Sequence, residues 1–376
     1  MTQEEFLGLC AEGDYEEVSD AISSGIDPNV RGKMGEHMIP PIFVAASSGN
    51  EGTIKALIEH GVNCADGFSA AIAGHNLNII KYLVDCGGDI NAIDSFDHTP
   101  LLTAVSMNMV DLIEPLISLG ADVNAKNNTG YTALTYAALV FPFPDHENID
   151  PYIISTLMEN GADYYEAMMV CVKTGNAEMA RLLIQGGADV NVRDDDGRSF
   201  VMYSVMGEPE DMPPESCNPV LRVLLENGAD PDLPDTKGRT PLMIAAINNE
   251  LAPSVIETLL EFGADINATD DKGLTALMWA VAGVDKVPDI VMPALIRTGG
   301  LRADGWERLC AFAVLSIAVK HELQIDVVRR LINYGADVNI IDNNGMNALM
   351  YALMNGDDES ADILSDAGAQ INFDLN

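Results

Sequence analysis

Residues 235–268 read DTKGRTPLMIAAINNELAPSVIETLLEFGADINA. Asp235 to Gly238 make a tight-turn pattern, in which Gly238 supplies the positive φ that a hairpin tip needs. Thr240 stands as a helix N-cap, and Pro241 takes the first helical position, where a missing N–H costs nothing. Leu242, Ala245 and Ala246 put a stripe of small apolar side chains on this first helix. Ile256, Leu259 and Leu260 recur at core spacing on a second helix, and Gly263 ends it in a left-handed cap. The segment therefore predicts a hairpin, a short helix, a turn, a longer helix and a cap.

The closing GADIN of this segment (263–267) recurs as GADVN at 120–124, 187–191 and 335–339, and as GADPD at 228–232. Looser copies are GIDPN at 25–29, GVNCA at 61–65, GGDIN at 87–91, GADYY at 161–165 and GAQIN at 368–372. With a degenerate mark at Gly299, the leading glycines fall 36, 26, 33, 41, 26, 41, 35, 36, 36 and 33 residues apart. A period near 33 means an array of small modules that bury their apolar flanks only by stacking. Such a chain offers an extended surface in place of a pocket.

The chain has 376 residues and a formal net charge of −38, from 20 Lys and Arg against 58 Asp and Glu. That charge repels phosphate backbones and attracts basic proteins, so DNA and RNA are excluded as ordinary partners. Acids cluster at 1–30, at 194–235 and at 342–376, whereas 297–330 carries six bases, among them Arg297, Arg302, Arg308 and Lys320. The start, MTQEEFLGLC, lacks the pattern of a secretory leader. The apolar run from Leu309 to Val319 is about half a bilayer span, so no membrane is expected. The six cysteines are scattered without a CxxC, which fits free thiols in a reducing cytoplasm.

The repeats resemble the ankyrin-repeat family, whose TPLHxAA signature stands here as Thr99-Pro-Leu-Leu-Thr-Ala, Thr132-Ala-Leu-Thr-Tyr-Ala-Ala, Thr240-Pro-Leu-Met-Ile-Ala-Ala and Thr275-Ala-Leu-Met-Trp-Ala. The signature histidine is replaced by Leu102, Thr135, Met202, Met243, Met278 and Met350, while Ser199 and Asn347 can cap in the threonine's place. The resemblance implies an all-α solenoid with short β-hairpin fingers: about eleven helix-turn-helix repeats in a curved, elongated stack. It spans 1–376 as a single array, with an N-terminal cap repeat at 1–30, internal repeats over 31–341 and a C-terminal cap repeat at 342–376. It also implies a concave face of fingers and first helices, and protein–protein binding as the role.

The array breaks its own rule in places. Two intervals of 26 leave no room for a hairpin, and the segment after Gly299 lacks one too, so gaps in the finger row are expected at repeats three, six and ten. Drift explains such gaps, and so does a protruding partner seated in them. Proline-containing insertions at 140–152, 207–219 and 282–288 widen the turn between the two helices. One of them carries Phe141 and Phe143, which either fold back over the core or serve as exposed binding anchors.

No GxxxxGK loop, GxGxxG, HExxH or zinc spacing occurs, and the Asp194–Gly197 run fails as a calcium loop because position 192 is Val. No catalytic residue, cofactor or metal is therefore expected. Protein-binding candidates are the fingertip acids Asp97, Asp194, Asp195, Asp196, Asp235, Asp270 and Asp271, together with Phe141 and Phe143. Aspartate is also what hairpin turns require for their own structure. The expected protein is a cytoplasmic monomer that binds a basic protein partner. The alternatives are an immunity protein neutralising a toxin or nuclease by acidic mimicry, or an assembly scaffold.

Overall fold

The computed structural model describes residues 1–34, 37–140, 149–206, 217–247, 252–282 and 324–371. They form two compact bodies: 1–170 with 181–188, and 171–180 with 189–376. In the N-terminal body, α1 (Gln3–Glu12) and α2 (Tyr15–Ser23) precede strands β1 (Gly32–Met34) and β2 (His37–Ile39). Helix pairs follow: α3 (Pro41–Ser48) with α4 (Glu51–Glu59), α5 (Ala65–Ala73) with α6 (Leu77–Asp85), α7 (Pro100–Ser106) with α8 (Val110–Ser118), and α9 (Ala133–Val140) with α10 (Pro151–Glu159). First helices stack on first helices and second helices on second helices, with Phe6, Ile54 and Phe68 sealed between layers. Residues of α11 (Tyr165–Thr174) and α12 (Ala177–Gln185) belong to both bodies.

The C-terminal body continues with α13 (Phe200–Met206), α14 (Cys217–Glu226), α15 (Pro241–Ile247), α16 (Ala252–Glu261) and α17 (Ala276–Ala282). A helix over 324–333 (α18) comes next, then α19 (Ala348–Asn355) and α20 (Asp358–Asp366). The first helices α13, α15, α17 and α19 stack in that order.

Local chemistry explains these boundaries. Thr2 and Asp14 close capping boxes with Glu5 and Glu17 at the starts of α1 and α2. Thr99, Thr132, Thr240 and Thr275 each accept the N–H three residues on, and so do the stand-in caps Ser199 and Asn347. Thr135 uses its signature-histidine position to hydrogen-bond Thr132. Every repeat-marking glycine among the described residues has positive φ, from +80° at Gly61 to +102° at Gly120. Burial pushes the Cys10 and Cys171 thiols up to about 12, so both act as inert core groups.

An asparagine ladder ties several of the caps to the next. Asn91 accepts the Asp122 N–H and donates to the Gly120 carbonyl; Asn124 does the same to Asp163 and Gly161, and Asn191 to Asp230 and Gly228. One rung is altered. Asp232 receives the Asp265 N–H on both carboxylate oxygens (3.0 and 2.9 Å) and has no amide to offer the Gly263 carbonyl. Burial raises its carboxyl pKa, and the charges of Asp230 and Asp265 add to that against the single N–H. A carboxyl raised in the folded state loses stability as pH climbs from its unfolded to its folded value. Asp232→Asn is therefore expected to stabilise the protein by about 1 kcal/mol at pH 7, the worth of one regained hydrogen bond. The gain should shrink as pH falls through that interval, which paired denaturant melts at pH 7 and pH 4 would read.

Three expectations meet the structure differently. Among the described residues, strand pairing occurs only in the 32–39 hairpin and at one bridge, Arg193–Ser199. The other fingers are hairpin turns held by a side chain. Repeats three and six lack fingers as expected, since α5 follows Cys64 directly and α11 follows Tyr164. In repeat three Asp66 bridges the neighbours, pairing with Arg31 at 3.4 Å and accepting the Ser95 N–H at 3.0 Å. The gap expected at repeat ten is corrected. The ladder runs straight from Asn267 to Asp337 (2.8 Å), and Asn343 donates to the Lys272 carbonyl at 2.9 Å. Helix α18 takes the second-helix place beside α17, with Gln324 and Asn355 donating to the Val281 carbonyl. The sequence carries a sign of this: the mark at Gly299 has apolar Leu301 at its third place, where every other mark has Asp, Asn or Gln. Gly299, the helix read at 303–319 and the insertion at 282–288 fall largely in 283–323, outside the described residues; so do Phe141, Phe143 and most of 207–219.

Candidate protein-binding face

Each finger is built on its first residue. The Asp235 Oδ1 accepts the N–H groups of Lys237 and Arg239 (both 2.9 Å), and Asp270, Asp342, Asp94 and Asp194 repeat the pattern. Asp235 and Asp270 are buried, and Asp194 is half-buried. Burial pushes the Asp194 carboxyl up, yet the hydrogen bonds from Tyr203, Arg198 and Asp196 outweigh it and hold the group below the ordinary range. Asp235 is likewise lowered against its burial, by the Arg239 side chain first and then by the N–H groups of its turn. These three acids are structural parts of turns.

Asp97 has a different task. It occupies the finger position where Gly130, Gly197, Gly238, Gly273 and Gly345 stand, with φ +65°. Its Oδ1 takes both the backbone N–H and the side-chain amide of Asn128 on the next finger (2.9 and 2.7 Å), and these bonds lower its pKa. Asp195, Asp196 and Asp271 are left as the acids that face solvent at fingertips, Asp196 beside Arg198 at 3.3 Å. Their fingers are locked edge to edge: Thr236 donates to the Asp196 carbonyl (2.9 Å), and Asp271 to the Lys237 carbonyl (3.2 Å).

A second set of residues was not singled out from the sequence. Nine residues after the finger aspartate, on the first helix, stands a ring whose polar atom returns to that aspartate. Trp279 Nε1 donates to Asp270 Oδ2 (3.1 Å), Tyr351 Oη to Asp342 Oδ2 (2.7 Å), and Tyr203 Oη to Asp194 Oδ2. Burial and the Asp342 carboxylate push the Tyr351 hydroxyl up to about 12. All three rings stay half-exposed. In the intervening repeat the place is filled by buried Ile244, and Arg239 occupies Asp235 Oδ2 at 2.6 Å instead. In the N-terminal body Phe96 and Tyr131 present apolar surface at fingertips, 57% and 38% exposed.

Among the described residues no His, Cys, Asp or Glu group could hold a metal ion, and no helix is long and apolar enough to cross a membrane. A cavity of about 460 Å³ lies between two fingertips, lined by Arg193, Asp194, Asp195, Gly197, Asp235 and Thr236.

No curated protein sequence matches the chain at a significant level. Family models do match: ankyrin repeats in three copies at 68–163, 215–293 and 294–374, and a single ankyrin repeat at 164–195. These matches cover well over half of the residues and agree with the helix pairs, caps and fingers described above. The chain is a member of the ankyrin-repeat family, whose repeats generally mediate protein–protein interaction.

Proposed function

We propose that this chain binds a basic protein through the fingertip and first-helix face of its C-terminal body. The observation that carries the reading is the exposure of Asp195, Asp196 and Asp271 on fingers whose backbones hydrogen-bond one another. Acids held on a rigid edge complement a cationic surface without an ordering cost, and the net charge of −38 accelerates encounter with one. In its sharper form the reading is inhibition. A partner such as a nuclease or toxin would have the basic surface that receives nucleic acid covered by these acids.

Affinity capture from lysate at low and high salt tests the reading. The captured protein should be basic, and its retention should fall steeply as salt rises. Reversing Asp195, Asp196 and Asp271 together to lysine should weaken binding by roughly 10- to 100-fold, each exposed charge contributing modestly. An acidic partner, or capture indifferent to salt, would remove the electrostatic reading.

A further inference from the structure

The half-exposed rings Tyr203, Trp279 and Tyr351 sit on the same side as the fingers, because each hydrogen-bonds a finger aspartate. That bond fixes each ring's orientation before any partner arrives. Pre-set tyrosine and tryptophan rings lose little entropy on binding and are the residue types that dominate interface energetics. The repeats that carry them are consecutive in the stack apart from one place. There Arg239, bonded to Asp235 through Nε and a terminal nitrogen, stands where a ring would be held. Trp279 and Tyr351 stand on α17 and α19, first helices that pack directly against each other.

We infer that this row is a reader of arginine side chains on an extended segment of the partner. A guanidinium is weakly hydrated, stacks on aromatic faces and is drawn by the ring quadrupole. The exposed carboxylates of Asp195, Asp196 and Asp271 along the same fingers supply the charge that brings it there. Spacing makes the inference specific. Neighbouring repeats lie about 10 Å apart, and an extended polyproline II segment advances about 3.1 Å per residue with three residues per turn, so one repeat spans about three residues and every third side chain returns to the same face. Rings at the first, third and fourth places of the row then select arginines at the first, seventh and tenth residues of the segment. The fourth residue meets Arg239 and must not be basic. The inference rests on the fingertip face being the binding face, and it adds the chemistry of what that face reads.

The test uses the full chain and a fluorescein-labelled decapeptide with arginine at its first, seventh and tenth residues, glutamate at the fourth and glycine elsewhere. Fluorescence anisotropy at low salt should show binding, stronger than for the peptide with lysine in place of arginine. A peptide with its arginines one residue closer should bind more weakly. Trp279→Leu and Tyr351→Leu should each lower affinity for the arginine peptide by roughly 5-fold. Trp279→Phe, which keeps a ring, should lose less, and it serves if the leucine variant does not fold. Affinity unchanged in the leucine and phenylalanine variants would overturn the inference, as would equal affinity for the respaced peptide or absence of binding. The fingertip reading is judged separately. If reversing Asp195, Asp196 and Asp271 abolishes capture of the natural partner while Trp279→Leu leaves it intact, the face stands and the arginine reader falls.

Discussion

Gly238→Ala is expected to destabilise the protein by about 3 kcal/mol, from a left-handed backbone that costs about 1–2 kcal/mol for a residue with Cβ and from a steric clash in addition. Gly238 has φ +74°, and a Cβ there would lie 2.7 Å from the backbone nitrogen of Asp271 and 2.7 Å from its Oδ1. The nitrogen belongs to the next finger and donates to the Lys237 carbonyl at 3.2 Å, so relief requires the two fingers to part. Gly130 provides the control. Its φ is +88°, but a Cβ would meet nothing within 4 Å, because the following repeat has no finger. Gly130→Ala should therefore cost only the backbone part, about 1–2 kcal/mol. Chemical denaturation of the two variants side by side checks the difference. Equal losses would mean that adjoining fingers do not support each other.

Phe200→Ala should cost more, about 3–5 kcal/mol, as for other fully buried aromatics cut to alanine. Phe200 fills the place where the family signature has proline and is 1% exposed at the start of α13. The N-cap does not depend on it, since Ser199 Oγ accepts the Met202 N–H at 3.2 Å. The loss is thus one of packing, with a void that neighbouring repeats fill only in part. For a body of this size the expected fall in Tm is about 10 °C. Phe200→Leu should recover more than half of it. In a nearest-neighbour array the damage should stay local, so hydrogen exchange is expected to accelerate first in α13 and in α14 and α15 beside it.

Most of the fold was legible because its determinants are local. A glycine that must be left-handed, a threonine that must cap and an aspartate that must close a turn announce themselves in a single repeat, and repetition multiplies the signal. Gly299 shows the limit. Spacing alone placed it in the series, whereas the ladder contact that decides membership, Asn267 to Asp337, joins residues 70 apart. The candidate face was legible by halves. Asp195, Asp196 and Asp271 are exposed, but Asp194, Asp235 and Asp270 carry the same residue type inward for turn chemistry. Composition cannot separate the two uses; position within the turn can. The spacing of nine that links Asp194 to Tyr203, Asp270 to Trp279 and Asp342 to Tyr351 is plain in the chain once known. Apolar periodicity assigns such rings to the core, and only the folded finger shows that their polar atoms reach outward to it.

The direct contact of the 270–273 finger with Asn343, and of Val281 with Asn355, keeps the array in register between residues about 70 apart in the chain. Chain closure grows more costly only slowly with length, so the bend linking paired helices can tolerate inserts of very different size. That point is a natural splice junction. New sequence can be acquired or trimmed there while the fingers, which hydrogen-bond one another directly, keep their spacing.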